Sequence, residues 1–583
     1  MIRCPSRPRP PAVAYTAAFF ALLMAPLLRG LALADEGVMT PEKIQDLVLC
    51  GKVWGFVKYH HPRLASGELS CDDELLRIIP EVLSARDRDE TRRILSSWLE
   101  QIGDPAPCSP CATLPDSIQS KPRLDWIRDR SLLGRDLSDR LRKIYDSRPA
   151  NPDDQRHVDL NGKVGNPIFY ESSFDSSLVL SDARYRLLAL FRFWSVIEYW
   201  YPHRDIANED WDRVMAEFVP RMMRASTAEA YRLALMALTA RTHDTHAGLM
   251  SCVNERPPGA EARLPILVRW VESRVVVTGF PEGDSTRAGG LRLGDVIVGL
   301  DGVPVDSLMA RWREYYAASN SDVLMRDLAG SIPWGPAGPC RVSASRESGL
   351  LDVTLERVGV AKANRTAPTF HDLSGGTFQM LTPEIAYLSL RSLGSSRIAE
   401  YLHKAEQAAG IILDLRNYPQ GFLPFTLGGH LVDSATDFVC FTRGDLANPG
   451  TFVWSPPLTV EPLAPRFHGR VAILVDESSQ SLAEFTAMAL QTSPGAMVVG
   501  STTAGADGNV SYVYFPGGYR GAITGIGVFY PDRRPAQRTG IAVDVKVRPT
   551  FAGIRARRDE VLEAAVKKLL GRDVDLGPRL MDR

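Results

Sequence analysis

Apolar residues recur at helical spacing in the first half of the chain, and the pattern occurs twice. The stretch Trp54-Gly-Phe-Val-Lys-Tyr-His returns as Trp194-Ser-Val-Ile-Glu-Tyr-Trp, 140 residues later and without a gap. The later copy carries a broad apolar surface, formed by Leu187, Leu188, Phe191, Trp194, Val196 and Ile197. We predict two helical units of similar shape with Trp54 and Trp194 buried at equivalent positions. The motif Ser226-x-x-Glu229 predicts a capped helix from Thr227 to about Arg241.

The two copies differ after their last helix. Residues 241–247 read Arg-Thr-His-Asp-Thr-His-Ala where 101–107 read Gln-Ile-Gly-Asp-Pro-Ala-Pro, so only the second copy carries His243 and His246. Because the aromatic skeleton is shared and the imidazoles are not, the pattern favours a task for His246 beyond packing. A surface loop with two solvated histidines is the alternative. The pair beside Asp244 also has metal-ligand chemistry, but no third ligand is evident nearby, so we expect no metal and no other cofactor.

A β-rich module begins near Arg263. Val275–Gly279 and Val296–Leu300 are typical of strands, and Asp301-Gly302 is typical of a hairpin turn. The stretch Ala288-Gly-Gly-Leu-Arg-Leu-Gly-Asp resembles PDZ domains, which add a peptide terminus as a strand on an exposed sheet edge. Leu264-Pro-Ile-Leu stands where the carboxylate-binding loop is expected. Peptide capture and a structural or lid role therefore both remain open.

Short apolar runs alternate with helical patterns from about Thr369 onward. Strands are predicted at Ile385–Leu390, Ile411–Leu415, Val471–Val475 and Met497–Gly500, and helices at Ile398–Ala408 and up to about Gln491. This alternation predicts an α/β domain with a largely parallel sheet. Ser481 lies where such folds carry out chemistry, after a strand and at the start of a helix whose free N–H groups stabilise an oxyanion. Ser481-x-x-Glu484 is also a capping box, and capping alone is the competing interpretation.

Four stretches of the last third resemble one family in order and spacing. They are Asp414-Leu-Arg-Asn-Tyr-Pro-Gln-Gly, Val475-Asp-Glu-Ser-Ser-Gln-Ser-Leu-Ala-Glu, Gly500-Ser-Thr-Thr-Ala-Gly and Gly540-Ile-Ala-Val-Asp. This order resembles the C-terminal-processing and tricorn-core family of serine peptidases. The helical segments, with Trp194-x4-Tyr-x2-Pro and Asp244-Thr-His-Ala, resemble its exported, tricorn-like branch. The resemblance covers roughly residues 40 to 570.

The resemblance implies that Ser481 is the nucleophile. In the C-terminal-processing branch the general base is a lysine 25 residues later, where this chain has Ala506, and no lysine lies between Ser481 and Lys546. In the tricorn-like branch the base is a histidine in an Asp-x-His context before the PDZ module, which falls on His246. A serine hydroxyl needs such a base at neutral pH, and imidazole titrates in the right range.

The remaining site residues also follow from the resemblance. The orienting glutamate of the tricorn branch falls on Gln537, whose amide oxygen can accept the imidazole N–H, and Asp244 and Asp507 are the alternative orienters. The oxyanion hole is expected to use the backbone N–H of Leu482 and one from the turn that contains Gly421.

The chain has 583 residues, of which 45% are hydrophobic and 23% charged, with a formal net charge of −1. This composition is typical of a globular protein. The chain has no excess of basic residues, so nucleic acid is not expected as a partner. Cys50, Cys71, Cys108, Cys111, Cys252, Cys340 and Cys440 remain once Cys4 is excluded. Seven is an odd number, so at least one stays unpaired within the chain. Cys108-Ser-Pro-Cys111 has redox or zinc spacing, but it lacks a thioredoxin-like strand–helix context and a second CxxC.

The N-terminus has the order of a secretory signal. Arginines precede an apolar stretch from about Ala12 to Leu28, and Ala32-Leu-Ala follows, so we expect cleavage after Ala34 and an exported, periplasmic or extracellular protein. An uncleaved membrane anchor is the alternative. The domain plan is a signal peptide (1–34), helical repeat unit 1 (35–150), helical repeat unit 2 with the His246 loop (151–259), a PDZ-like domain (260–365), an α/β peptidase core of crotonase/ClpP-like type (366–572) and a tail (573–583).

These expectations combine into a secreted serine endopeptidase with a polypeptide substrate and no stable membrane insertion after signal removal. A peptide- or apolar-ligand-binding protein on the same fold is the alternative, because the family has non-peptidase members. An esterase-like hydrolase would use the same nucleophile.

Overall fold

The computed structural model describes residues 39–148, 151, 155–250, 262–281, 288–359, 373 and 376–578. The expected signal segment and Cys252 lie outside the described residues. None of the helices in these ranges combines the length and apolar character needed to cross a membrane. The architecture is mixed α/β with several domains.

The helices have the following bounds: α1 Pro41–His60, α2 Pro62–Ala65, α3 Cys71–Ser84, α4 Arg88–Ile102, α5 Arg130–Asp146, α6 Ser176–Ser181, α7 Ala183–Trp200, α8 Trp211–Arg224, α9 Ala228–Ala240, α10 Val305–Trp312, α11 Ser321–Ser331, α12 Ile398–Lys404, α13 Pro424–Gly429, α14 Leu482–Leu490, α15 Phe551–Arg555 and α16 Glu560–Leu570. Short 3₁₀ turns lie at Asp125–Arg128, Arg313–Tyr315 and Ser395–Arg397.

The strands have the following bounds: β1 Ile118–Ser120, β2 Val158–Leu160, β3 Pro167–Phe169, β4 Gly248–Leu249, β5 Ala262–Arg263, β6 Leu267–Val271, β7 Arg274–Gly279, β8 Val296–Leu300, β9 Val303–Pro304, β10 Trp334–Gly335, β11 Gly338–Arg346, β12 Gly349–Gly359, β13 Phe378–Thr382, β14 Ile385–Ser389, β15 Gly410–Asp414, β16 Thr436–Gly444, β17 Phe452–Trp454, β18 Leu458–Val460, β19 Arg470–Val475, β20 Met497–Gly500, β21 Val510–Tyr514, β22 Arg520–Thr524, β23 Gly527–Phe529 and β24 Val545–Lys546.

The helical half repeats itself in structure as well as in sequence. Helices α3 and α8 each have 14 residues, begin 140 positions apart and contain a proline at the tenth position, Pro80 and Pro220. The two copies exchange ion pairs across their contact, since Lys52 of α1 pairs with Asp212 of α8 and Arg192 of α7 pairs with Asp72 of α3. Each copy therefore supplies the basic partner for the acidic residue of the other. The cap of α9 is Thr227 and not Ser226, because the Thr227 hydroxyl accepts the N–H of Ala230.

The middle module is a β-sheet of eight strands, and within the described ranges it pairs with no strand of the helical half or of the last third. Seven strands follow the order β10-β5-β12-β11-β8-β7-β6, and β9 pairs with β8 through the turn at Asp301-Gly302. Its core packs Val275, Val277 and Ile297 against Met309 of α10 and Leu328 of α11. The strands predicted at 275–279 and 296–300 are present.

A six-stranded sheet forms the centre of the last third, in the order β13-β14-β15-β19-β20-β24. The strands from β14 to β24 are parallel, as the alternation of strands and helices predicts, and β13 is antiparallel at one edge. One face carries α12, α13 and α14, and the other face carries α16. The predicted helix from Ile398 is shorter than expected and ends at Lys404. The carboxyl ends of β15 and β19 lie side by side, which places their following loops together.

Cysteine pairing is local. Cys108 and Cys111 form a disulfide, whereas Cys50, Cys71, Cys340 and Cys440 are buried thiols.

Candidate active site

Ser481 lies at the junction between β19 and α14. Its backbone has φ 57° and ψ −120°, in a region that residues with a Cβ rarely adopt. The Ser481 N–H donates to the carbonyl of Ala506 at 2.9 Å and contacts the carboxylate of Glu484 at 3.3 Å. Such strain persists only where surrounding contacts enforce it, and it concentrates at functional positions.

Glu484 ties the start of α14 to the loop that follows β20. Its carboxylate accepts the hydroxyl of Thr503 at 2.6 Å and the backbone N–H groups of Gly505 and Ala506 at 2.8 and 3.0 Å. Burial raises the pKa of Glu484, and these donors oppose the increase. The capping interaction that the sequence suggests therefore belongs to a larger buried network around Ser481.

The proposed oxyanion donors lie on two neighbouring loops. Leu482 is the first residue of α14, where a helix leaves its N–H groups without intrahelical acceptors. Gly421 lies on the loop after β15, and a Cβ at this position would stand 2.9 Å from the carbonyl oxygen of Leu393, so only glycine fits without a shift. Phe422 stacks on Phe485 of α14 with ring centroids 6.0 Å apart, which holds the Gly421 turn beside the helix that Ser481 opens.

β-pairing brings His246 to the last third of the chain. β4 begins two residues after His246 and pairs antiparallel with β22, so that Gly248 faces Ala522 and Leu249 faces Gly521. Continuing this register places His246 opposite Thr524, and His246 Nδ1 is 3.0 Å from the Thr524 hydroxyl oxygen. The histidine is buried, with 6% of its surface exposed.

Asp244 is the centre of this loop. It is fully buried, and its carboxylate accepts the backbone N–H groups of His246 at 3.0 Å and Thr524 at 2.9 Å. The Thr524 hydroxyl also helps to lower the pKa of Asp244, and burial together with the Asp244 carboxylate raises the pKa of Tyr201. Burial alone raises the pKa of Asp244, but His246 and the Thr524 N–H outweigh it, so the pKa lies below its usual value and the carboxylate is charged.

Gln537 reaches the same cluster by a different contact from the one expected. Its amide nitrogen donates to Asp244 at 3.1 Å and lies 3.4 Å from the Ser319 hydroxyl. We expected the Gln537 amide oxygen to accept the N–H of His246, and the geometry corrects this expectation. The partner of His246 Nδ1 is the Thr524 hydroxyl. Because a carboxylate only accepts hydrogen bonds, Asp244 orients the Gln537 amide so that its nitrogen faces the carboxylate. The Gln537 oxygen is buried without a partner among the described residues.

Asp507 lies one residue after Ala506, the position of the lysine in the other branch. It is buried, and its Oδ1 accepts the N–H of Gly508 while Oδ2 has no partner in the described part of the chain. Burial raises the pKa of Asp507 well above its usual range, and the nearby Glu484 raises it further. A neutral Asp507 is poorly suited to stabilise an imidazolium, and the contacts of His246 involve Asp244 and Thr524 instead.

The loop 503–506 joins the serine side and the histidine side of the site. Ser481 N–H donates to Ala506, the hydroxyl of Thr245 donates to the carbonyl of Ala504 at 3.4 Å, and the N–H of Arg538 donates to the carbonyl of Gly505 at 2.7 Å. The neighbours of His246 and Gln537 therefore contact the loop that Ser481 contacts. No hydrogen bond joins the His246 ring to Ser481 within the described ranges; such contacts often tighten only with substrate.

Two contributors were missed by sequence reasoning. Thr524 has no recognisable motif around it, and only the pairing of β4 with β22 reveals its role. Ser319 comes from the middle module: its hydroxyl accepts the N–H of Thr245 at 3.0 Å, and the neighbouring Asn320 amide donates to the carbonyls of Thr503 and Ala504. The middle module thus contacts the site directly.

The electrostatics of His246 suit a base near neutral pH. Burial lowers the pKa of His246 below its usual value of about 6.5, and Asp244 opposes the decrease. The neutral imidazole is therefore the stable form at pH 7. No group of three or more metal-ligating side chains occurs among the described residues, at this site or elsewhere.

Comparisons with known proteins agree with the resemblance. Residues 384–547 match the family model described as Peptidase family S41. The chain is also 29% identical over 239 residues to carboxyl-terminal-processing peptidase 2, chloroplastic, of Arabidopsis thaliana. That match covers 40% of this chain and 41% of the relative, so the chain spans about two fifths of the relative's length.

Solved structures share the fold at low identity. The structure of mature CPAF has a TM-score of 0.52 at 16% identity, covering 68% of this chain and 99% of that chain. The structure of mature CPAF complexed with lactacystin has a TM-score of 0.52 at 15% identity, covering 67% and 99%. The segment 384–547, which matches the model of peptidase family S41, contains Ser481, the loop 503–506 and Gln537.

Proposed function

We propose that this chain is an exported serine endopeptidase that cleaves polypeptides by acyl transfer through Ser481, with His246 as the general base. The observation that carries the proposal is the backbone of Ser481, held at φ 57° between β19 and α14 inside the S41 segment. A serine that served only as a helix cap would need no such conformation, because cap residues ordinarily lie in the extended region.

In the first chemical step the Ser481 hydroxyl attacks the carbonyl carbon of the scissile peptide bond, and its proton passes to His246 Nε2. The tetrahedral intermediate carries its negative charge on the former carbonyl oxygen. When that intermediate collapses, the carbon–nitrogen bond breaks and His246 returns the proton to the leaving amine. Water then attacks the acyl-enzyme while His246 accepts a proton from it. His246 passes that proton to the Ser481 oxygen as the ester bond breaks, which releases the acid product and regenerates Ser481.

Thr524 is the positioning residue for the imidazole. Its hydroxyl oxygen lies 3.0 Å from His246 Nδ1, and the hydroxyl also lowers the pKa of Asp244, a carboxylate that can only accept. The Thr524 proton therefore points to Asp244, and its oxygen is left to accept the proton on His246 Nδ1. This order leaves the lone pair of Nε2 free for the Ser481 proton. Asp244 acts on His246 indirectly, through Thr524. Gln537 is a further hydrogen-bond donor to Asp244.

The oxyanion of the intermediate would be held by the N–H groups of Leu482 and Gly421. Helix α14 adds the positive end of its dipole at the same point. Loss of one such donor typically costs about 10²–10³-fold in rate.

Export is part of the proposal. The disulfide between Cys108 and Cys111 is the structural support, since disulfides persist in oxidising compartments. The PDZ-like module is proposed to shape or gate the cleft, because Ser319 and Asn320 contact the site.

An esterase on the same nucleophile makes a different prediction from a peptidase. The purified protein is assayed on casein and on p-nitrophenyl acetate, and new N-termini in casein are identified by mass spectrometry. Internal cleavage of casein that disappears in Ser481→Ala supports the peptidase. Ester hydrolysis without cleavage of any polypeptide supports the esterase, and no turnover of either substrate favours a ligand-binding protein.

The pH dependence follows from the lowered pKa of His246. Above that pKa the imidazole is neutral and can accept the Ser481 proton, and below it the base is lost. We expect kcat/KM on a casein-derived peptide to fall on the acid side with a midpoint below the unperturbed value of about 6.5. A midpoint above 7 would show that the base is not a buried histidine in this environment.

Replacing Gln537 with glutamate is expected to lower activity at pH 7 by about tenfold or more. A loss of this size is expected when a catalytic base such as His246 is displaced from its working position. The new carboxylate would stand beside the buried carboxylate of Asp244, 3.1 Å from the present amide nitrogen, and two such groups cannot both remain charged. Gln537→Leu, which removes the amide without adding charge, should lose less. Activity of Gln537→Glu at or above the wild-type level would instead identify position 537 as the direct orienter of His246.

A further inference from the structure

The three-stranded sheet β21-β22-β4 has one face that is filled by protein. Residues that stand directly opposite each other in an antiparallel pair share a face. Ser511 pairs with Ile523 and Val513 pairs with Gly521, and all four residues are buried. A Cβ at Gly521 would stand 2.8 Å from the ring of Phe515, so no space remains on this side of the sheet.

The opposite face of the sheet begins at the proposed general base. Its first row contains His246 opposite Thr524, with His246 Nδ1 3.0 Å from the Thr524 hydroxyl oxygen. Residues two positions apart on a strand share a face and lie about 7 Å from each other. The pairing of the strands therefore defines two further rows, which lead away from His246: Gly248, Ala522 and Tyr512, and then Arg520 and Tyr514.

Open space and exposed aromatic surface occur together on this second face. A Cβ at Gly248 would meet no atom within 4 Å. Tyr512 and Tyr514 are 43% and 42% exposed, and Met250, the residue that follows β4, is 38% exposed. Neighbouring exposed apolar side chains of this kind mark interaction sites.

Arg520 restricts what the exposed ring of Tyr512 can accept. Its guanidinium lies over that ring, 4.5 Å from the ring centroid, and this cation–π contact favours one orientation of the ring. Arg520 is exposed, so it also places a positive charge on the face. An apolar side chain can pack beside Tyr512, whereas a lysine or arginine would be repelled by Arg520.

The chemistry of His246 decides which part of a substrate meets this face. In the proposed mechanism His246 returns a proton to the leaving amine, so that amine lies beside the imidazole. The polypeptide that continues from the amine is the leaving-group side of the substrate. Two residues of an extended chain span about 7 Å, so the second or third residue after the scissile bond reaches the level of Tyr512.

We propose that the face of Tyr512 and Tyr514 binds the leaving-group side of the substrate, and that Tyr512 selects an aromatic or large apolar residue at the second or third position after the scissile bond. This inference rests on the proposed peptidase function and names the substrate feature that the same site selects. Aromatic rings pair favourably in stacked or edge-to-face contact, which the exposed ring of Tyr512 permits. Tyr514 and Met250 extend the apolar surface toward the residues that follow.

The test is a map of cleavage sites in a peptide library, prepared from a denatured proteome with glutamyl endopeptidase and read by mass spectrometry. For the full-length wild-type protein we expect Phe, Tyr, Trp, Leu and Met to be enriched about three- to tenfold at the second or third position after the bond, the range for one aromatic contact. Lys and Arg should be depleted there. Tyr512→Ala should lose the enrichment, and Arg520→Glu should lose the depletion. Leu350→Ala is the matched control, because it truncates an exposed apolar side chain of the middle sheet, and it should keep both preferences.

Labelling with a small fluorophosphonate separates this inference from the proposed function. The probe carries no polypeptide on its leaving group, so Tyr512→Ala should be labelled at the wild-type rate. A wild-type protein that is neither labelled at Ser481 nor able to cleave peptides would overturn the peptidase function and this inference with it. Normal labelling and cleavage without an apolar preference, or with the same preference in Tyr512→Ala, would overturn this inference alone. So would a wild-type dimer that Tyr512→Ala converts to a monomer in size-exclusion chromatography, because the face would then join two copies of the chain.

Discussion

Replacing Ser481 with alanine is expected to reduce casein hydrolysis at least about 10³-fold, the scale seen when a nucleophile is removed and only binding and the oxyanion hole remain. The mechanism has no substitute for this hydroxyl, because the Thr503 hydroxyl in the surrounding network donates to the Glu484 carboxylate at 2.6 Å, and the other donors to Glu484 are backbone N–H groups. The fold should survive, since the contacts that fix position 481 run through its backbone N–H. We expect the Tm to change by no more than about 2–4 °C, the shift for roughly 1 kcal/mol in a large domain.

Ser478→Ala is the matched control for this variant. Ser478 is half-buried in the same loop, and its backbone N–H donates to the Asp476 carboxylate at 2.9 Å. It should retain near-wild-type activity. If a folded Ser481→Ala protein were as active as Ser478→Ala, Ser481 would serve only as a helix cap.

Replacing His246 with alanine is expected to lower kcat/KM by about 10²–10⁴-fold, the usual contribution of a general base. The loss should fall mainly on kcat, since the imidazole acts on the proton of Ser481 and has little part in holding the substrate. Added imidazole is expected to restore part of the rate in the alanine variant, because the space left beside Thr524 has the size of the missing ring. A merely structural histidine would not be rescued in this way.

His243→Ala distinguishes the two histidines of the loop. The His243 side chain is 40% exposed, and its Nε2 lies 3.0 Å from the Glu209 carboxylate. We expect it to change the rate by less than about fivefold, below the general-base contribution. Equal losses in His243→Ala and His246→Ala would indicate that the loop matters as a whole and that His246 is not the base.

Much of the fold could be predicted from local patterns. Short apolar runs set the strands β14, β15, β19 and β20, because a strand buried on both faces needs a continuous apolar sequence. The helical repeat could be read from its spacing, since a packed helix pair conserves the positions of Trp54 and Trp194. The placement of Ser481 between a strand and a helix followed from the same reasoning.

The partners within the site could not be predicted in the same way. His246 and Thr524 are separated by 278 positions and meet through the pairing of β4 and β22, which are two and five residues long. Strands this short carry almost no periodic signal. The family resemblance placed Gln537 beside His246, but a buried carboxylate at Asp244 competes for the amide and takes its N–H. Hydrogen-bond competition of this kind depends on geometry that the sequence does not contain.

The central claim is that Ser481 is a nucleophile activated by His246. Its most direct test is labelling with a fluorophosphonate probe, followed by mass spectrometry of the modified peptide. We expect the probe to attach to Ser481, labelling to be lost in Ser481→Ala, and labelling to slow strongly in His246→Ala but not in His243→Ala. Attachment to a different residue, or labelling of Ser481 at an equal rate with and without His246, would contradict it.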